Sequence, residues 1–129
     1  MPHQQERYPN RWAPVLVAWS DPGESLRLVG DTAGFAGSFP FPVGDDRVYV
    51  TGGVTLDGPQ FNKIIGDEDG RVRARAVIEH ELGHLVGLAH IPDSGQLMNP
   101  DGVKGLATYG PGDLTGLNQL GKGPCFAGI

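Results

Sequence analysis

The sequence predicts an α+β domain: a small twisted sheet packed on one long helix, with a short helix near the C-terminus. Three observations carry this. Short runs rich in β-branched and aromatic residues, at 14–19, 32–39 and 47–56, crowd the first half of the chain. From Arg71 to Val86 there is no proline, and Val77, Leu85 and the alanines offer an apolar face to a sheet. The 21 glycines and 11 prolines make about a quarter of the 129 residues, so the regular elements are few and joined by turns.

Taken in order, residues 1–13 are polar and proline-interrupted and read as an arm or linker, with Tyr8 and Trp12 as its large apolar groups. Pro14-Val15-Leu16-Val17-Ala18-Trp19 has no polar alternation and reads as a strand buried on both faces, ended by the turn Ser20-Asp21-Pro22-Gly23. A weak strand is expected over Thr32–Phe39, where glycines permit close backbone approach. Arg47–Thr51 and Val54–Leu56 are β-like, with Gly52-Gly53 as a turn or bulge between them and Asp57-Gly58-Pro59 closing the element. Asp69 is placed to cap a helix from Arg71 to Val86, about 25 Å long at 1.5 Å per residue. Beyond it come a turn at Ile91–Gly95, a tight apolar corner at Gln96–Pro100 and a glycine-rich loop over 101–112. A short helix Leu114–Leu120 then follows, capped by Asp113 and ended by Gly121. Domain 14–122 thus lies between the arm and a tail, 123–129.

Length and charge bound the function. A chain of 129 residues holds one modest core. A net charge of −5 without a Lys/Arg cluster gives no basis for nucleic acid or an anionic membrane as a partner. The single cysteine, Cys125, excludes an intramolecular disulfide. The opening residues lack a basic-then-apolar leader and no apolar run approaches ~18 residues, so the expectation is a soluble chain without an export signal.

The chemistry concentrates in His80-Glu81-Leu82-Gly83-His84-Leu85-Val86-Gly87-Leu88-Ala89-His90, which holds three of the four histidines. Positions four apart share a helical face, so His80 and His84 can aim two imidazoles at one ion. Catalytic zinc takes three protein ligands and a water. Gly87 can adopt a left-handed conformation, end the helix and return His90 to the metal. Glu81 lies roughly 100° round the helix, within reach of a metal-held water. The bland alternative is a set of satisfied core histidines. From the chain's own composition the five-position match has a chance on the order of 10⁻⁵, well below the false-positive risk of short motifs.

These residues resemble the extended zinc signature of the metzincin metalloproteases. Leu97-Met98-Asn99-Pro100 resembles their Met-turn, and Asp113–Gly121 is similar to the C-terminal helix of the matrixins within that clan. The resemblance covers roughly residues 12–122 and is strongest at the motif. It implies a metzincin-like mixed sheet on an active-site helix and a zinc endopeptidase acting on peptide or protein substrates. His80, His84 and His90 would be the zinc ligands, Glu81 the general base, and Met98 a hydrophobic floor beneath the ion. It also implies that an extended substrate pairs with the strand near Gly34-Phe35-Ala36, that the loop 101–112 walls the pocket beyond the scissile bond with Tyr109 in its lining, and an extracellular setting. The oligomeric state does not follow.

Three departures stand out. Ile91 occupies the place where matrixins usually carry serine. Pro100 leaves no zinc-ligating tyrosine of the astacin kind. Only about a dozen residues precede the first strand, where the family has a strand, a helix and another strand. By resemblance the chain corresponds to the C-terminal two-thirds of such a domain, with an open edge at 14–19. Calcium at the acidic turn Asp67-Glu68-Asp69-Gly70 is a second candidate cofactor, although the spacing does not fit an EF-hand loop and acidic residues suit a helix start in any case. Cys125 reads as a free tail thiol rather than a zinc latch. Two rival readings are a zinc hydrolase of the deformylase or gluzincin kind, which zinc affinity surviving in His90→Ala would favour, and a catalytically incompetent zinc-binding remnant or binding module.

Overall fold

The sheet is built on its longest strand. In the computed structural model, which describes residues 4–102 and 105–129, β3 (Asp46–Asp57) lies between β1 (Leu16–Ser20), parallel to it, and β2 (Gly34–Val43), antiparallel to it. Among the described residues the fold is a small α+β arrangement of this mixed sheet and three α-helices. β2 and β3 join through the two-residue turn Gly44-Asp45, where Gly44 takes a φ of 61°.

Several expectations change here. Gly52-Gly53 is no turn: β3 runs straight through it, and the irregularity falls two residues earlier, where Phe39 pairs with Thr51 but Pro40 with Tyr49, leaving Val50 as the extra residue. A side chain at Gly52 would stand 2.5 Å from the Gly37 carbonyl and 2.7 Å from Leu85, so this glycine lets the sheet and a helix close on one another. The strand expected over 32–39 extends to Val43, through Pro40 and Pro42, because β2 is an edge strand and can spare two N–H donors. The strand at 14–19 is not buried on both faces. Val17 is 57% and Trp19 62% exposed, since the long helix lies over β2 and β3 and leaves β1 bare.

Asp57-Gly58-Pro59, read as a terminator, starts a helix instead. Asp57 accepts the Gln60 N–H at 3.2 Å, proline sits in the first turn, and α1 (Gly58–Gly66) follows. Its Phe61 joins Val54, Leu56 and Ala74 in the core, with Val77, Ile78 and Leu85 packed against them. Trp19 meets Phe61 edge-on at 5.0 Å. The long helix α2 (Gly70–Val86) starts one residue earlier than expected, and the Asp69 side chain makes no capping bond. Asp67 in the same acidic turn pairs with Arg73. The last helix, α3 (Pro111–Gln119), begins three residues before its expected start, since Gly110 is its N-cap and Asp113 falls in its first turn.

The described part of the N-terminal arm is docked. The Gln5 side chain bonds the carbonyls of Tyr8 and Arg11 and the N–H of Ala13. Trp12 packs at a tilt against Phe39 and Phe41, on the sheet face away from α2, and Ala13 is buried. Residues 1–3 of the arm lie outside the described residues. No helix among the described residues is long and apolar enough to cross a membrane.

Candidate metal centre

The last turns of α2 carry His80 and His84 on one face. Gly87 then ends the helix with a φ of 118°, accessible to glycine at little cost, and its N–H and that of Leu88 close on the last carbonyls. The reversal brings His90 back. His80 Nε2 and His84 Nε2 stand 3.1 and 3.0 Å from His90 Nε2. The ligating nitrogens of all three lie within 4.8 Å of one another.

The other ring nitrogens decide the tautomers. His80 Nδ1 lies 2.7 Å from the Leu97 carbonyl and His84 Nδ1 2.8 Å from the Leu88 carbonyl. A carbonyl can only accept, so each Nδ1 carries the proton and each Nε2 presents a lone pair to the centre. Three imidazole nitrogens with so little space between them repel unless a cation sits among them. Tetrahedral zinc with bonds of about 2.0–2.1 Å sets its nitrogens about 3.3 Å apart, close to what is found. Burial, and then the neighbouring imidazoles, hold His80 below the ordinary histidine pKa, although the Leu97 carbonyl and Asp113 pull the other way. His90 is lowered by burial and by His84. Both shifts favour the neutral, ligating form.

Glu81 is 6% exposed, and its Oε2 has no hydrogen-bond partner. Burial pushes its carboxyl up to about 7, against a smaller lowering by Arg27. An orphaned buried carboxylate oxygen next in sequence to a ligand calls for a donor, and a water in the centre would supply one. A side chain on Gly34, the first residue of β2, would stand 3.3 Å from Glu81 Cγ, so the strand start lies directly against this carboxylate. Ala36 packs on the core and Ser38 donates its hydroxyl to the Leu85 carbonyl, which ties β2 to α2. Phe35 points to the opposite face of the sheet.

Below the histidines, Met98 is 1% exposed and its Sδ would lie 2.6 Å from a side chain at Gly83. The methionine thus packs on bare helix backbone between His80 and His84. The corner that carries it is held by a residue whose sequence signal was only that of a helix cap. Asp113, 3% exposed, accepts the N–H groups of Leu97 (2.5 Å), Met98 (3.3 Å) and Gly110 (2.8 Å). Gln96 completes the clasp by accepting the N–H groups of Gly112 and Asp113 at 2.7 and 3.0 Å. Since Leu97 in turn accepts from His80, a chain of bonds runs from α3 to a ligand. Nothing local in the sequence marks it.

Tyr109 donates its hydroxyl to the Glu79 carbonyl at 2.5 Å, pinning its loop to α2 one residue before His80. Burial, then Glu79 and Asp113, raise the phenol pKa. Burial alone would raise Glu79 too, but bonds from Thr108 and Arg75 outweigh it and hold that carboxyl low. Of the loop 101–112, residues 103 and 104 lie outside the described residues.

Comparison with protein-family models, with curated proteins and with solved structures returns no match. The centre therefore rests on its own geometry: three histidines in a small α+β fold, positioned to bind a metal ion.

Proposed function

We propose that the protein is a zinc-dependent endopeptidase of the metzincin type, matrixin-like, with His80, His84 and His90 as the ligands. The observation that carries this reading is the pairing of three converging Nε2 atoms with a buried, unpartnered carboxylate on the same helix. A purely structural zinc site closes its fourth position and has no use for such a carboxylate. Zinc, when bound, supplies Lewis-acid polarisation of the scissile carbonyl and acidifies a water.

The chain's own residues do the rest. Glu81, with its pKa raised to about 7, is suited to take a proton from the attacking water near neutral pH and pass it to the leaving amine. The outer edge of β2 is unpaired among the described residues and begins beside Glu81, so an extended peptide can add as a further strand along Gly34–Ala36. Met98 and the Asp113 clasp fix the ligands from below.

One observation favours the second reading, an incompetent zinc-binding remnant or binding module. An open apolar groove of about 600 Å³ runs between Val15, Tyr49, Val86, Leu117 and Leu120, and a groove of this kind fits a binding surface as well as an enzyme's flank. Cleavage of unfolded casein by zinc-loaded protein, beside Glu81→Ala, separates the two. Activity lost in the variant while zinc stays bound supports the endopeptidase. No cleavage by either, with one zinc per chain, supports the remnant.

A further inference from the structure

We propose that Arg27 selects a carboxylate on a peptide lying along the outer edge of β2. The proposal rests on the endopeptidase reading for the presence of such a peptide, and on three observations for the residue. The first concerns the cation itself. Arg27 belongs to a short 3-10 turn, Leu26–Leu28, anchored by the fully buried Leu28. Its guanidinium carbon stands 3.9 Å from the centroid of the Phe35 ring. The ion pairs among the described residues join Arg73 to Asp67 and Arg75 to Glu79, so Arg27 is held over an aromatic face outside any ion pair.

The second is the register of the edge. The Ala33 carbonyl accepts the Asp57 N–H at 2.8 Å, so residues 33, 35, 37 and 39 turn their backbone groups towards β3. Gly34, Ala36 and Ser38 therefore turn theirs outward, and Pro40 and Pro42, in the same parity, lose no ladder bond. A peptide would bond to Gly34 and Ala36. Its residue opposite Phe35 would occupy the non-hydrogen-bonded position, where facing side chains come closest, with Cβ atoms about 4.5–5.5 Å apart. That side chain falls on the face of Phe35, beside the guanidinium.

The third is distance from the chemistry. Phe35 follows Gly34, which lies against Glu81. The position selected is thus close to the scissile bond. A carboxylate fits a guanidinium in this setting, whereas an amide offers no charge and a lysine is repelled. The carboxylate can belong to an Asp or Glu side chain or to the peptide's own C-terminus.

The test uses twelve-residue peptides blocked at both ends, each carrying one Glu, Gln or Lys walked through the sequence, and the same peptides with a free C-terminal acid. Cleavage is measured with zinc-loaded wild type, Arg27→Glu and Arg27→Gln. Binding is measured separately by fluorescence anisotropy in the Glu81→Gln background. A Glu-over-Gln preference of about five-fold at one position is expected, the size of an exposed ion pair. It should vanish in Arg27→Gln and invert towards Lys in Arg27→Glu. A preference that follows the free C-terminal acid instead assigns Arg27 to the terminus. Cleavage with no carboxylate preference, or a preference unchanged in Arg27→Glu, overturns the proposal and leaves the endopeptidase standing. Binding with an Arg27-dependent preference but without cleavage by wild type keeps the proposal and overturns the endopeptidase. Neither binding nor cleavage overturns both.

Discussion

Replacing Asp113 with alanine should loosen the metal site from 16 residues away in sequence, counted from Leu97. The carboxylate is buried and accepts three backbone N–H groups, two at 2.5 and 2.8 Å and one at 3.3 Å. A hydrogen bond to a charged group contributes about 1.5–3 kcal/mol, and a buried donor left without a partner costs about 1–3 kcal/mol. The three bonds share one carboxylate and are not additive, and the longest counts for least, so the expected loss of stability is about 3–4 kcal/mol. For a domain of this size that lowers the midpoint of thermal unfolding by about 10–15 °C. The same carboxylate positions the Leu97 carbonyl, which orients His80 through Nδ1 at 2.7 Å. Loss of an outer-shell partner typically weakens metal binding about 10–100-fold. Chelator competition for zinc, run below the unfolding transition, reads this directly. Asp113→Asn keeps the shape but turns one acceptor into a donor, and should fall between wild type and alanine. Zinc affinity unchanged in Asp113→Ala, in protein that remains folded, would refute the coupling from α3 to His80.

Other consequences follow from the same geometry. Gly83→Ala places a methyl 2.6 Å from Met98 Sδ, and overpacking of this kind costs about 1–3 kcal/mol. Urea unfolding measures it, and the cost of Gly83→Ala should shrink when it is measured in a Met98→Ala background, whereas an undiminished cost would mean the methyl strains something else. The pH dependence has a defined sign. His80 and His90 have folded pKa values below the unfolded value of about 6.5, so the unfolded chain binds more protons. The metal-free protein should therefore lose stability as pH falls from about 6.5 through the lower folded values, and show no loss from these groups above it. Zinc affinity should hold across neutral pH and fall over that same lower range; titration calorimetry at several pH values would show it, and affinity already falling between pH 8 and 7 would contradict neutral imidazoles.

What could be read from the chain alone was what depends on near neighbours. The spacing of His80 and His84, the left-handed turn at Gly87 and the return of His90 are set within eleven residues by helical periodicity and one achiral residue, and the three nitrogens do converge. The apolar face of α2 through Val77 and Leu85 was legible for the same reason. The tertiary structure decided what depends on partners far along the chain. Val17 and Trp19 look like buried strand residues in any local window, yet their exposure depends on where α2 lies across the sheet. Asp57-Gly58-Pro59 has the composition of both a turn and a helix start, and the packing of Phe61 on Val54 and Leu56 selects the helix. Asp113 carries a local signal for a cap, while its bonds to Leu97 and Met98 exist only because α3 folds under the metal site. Arg27 has no local signal: its place above Phe35 comes from β2 pairing at the edge of the sheet. Short-range geometry is written in residue spacing, whereas burial and long-range bonds are properties of the packed whole, and a sequence window does not contain them.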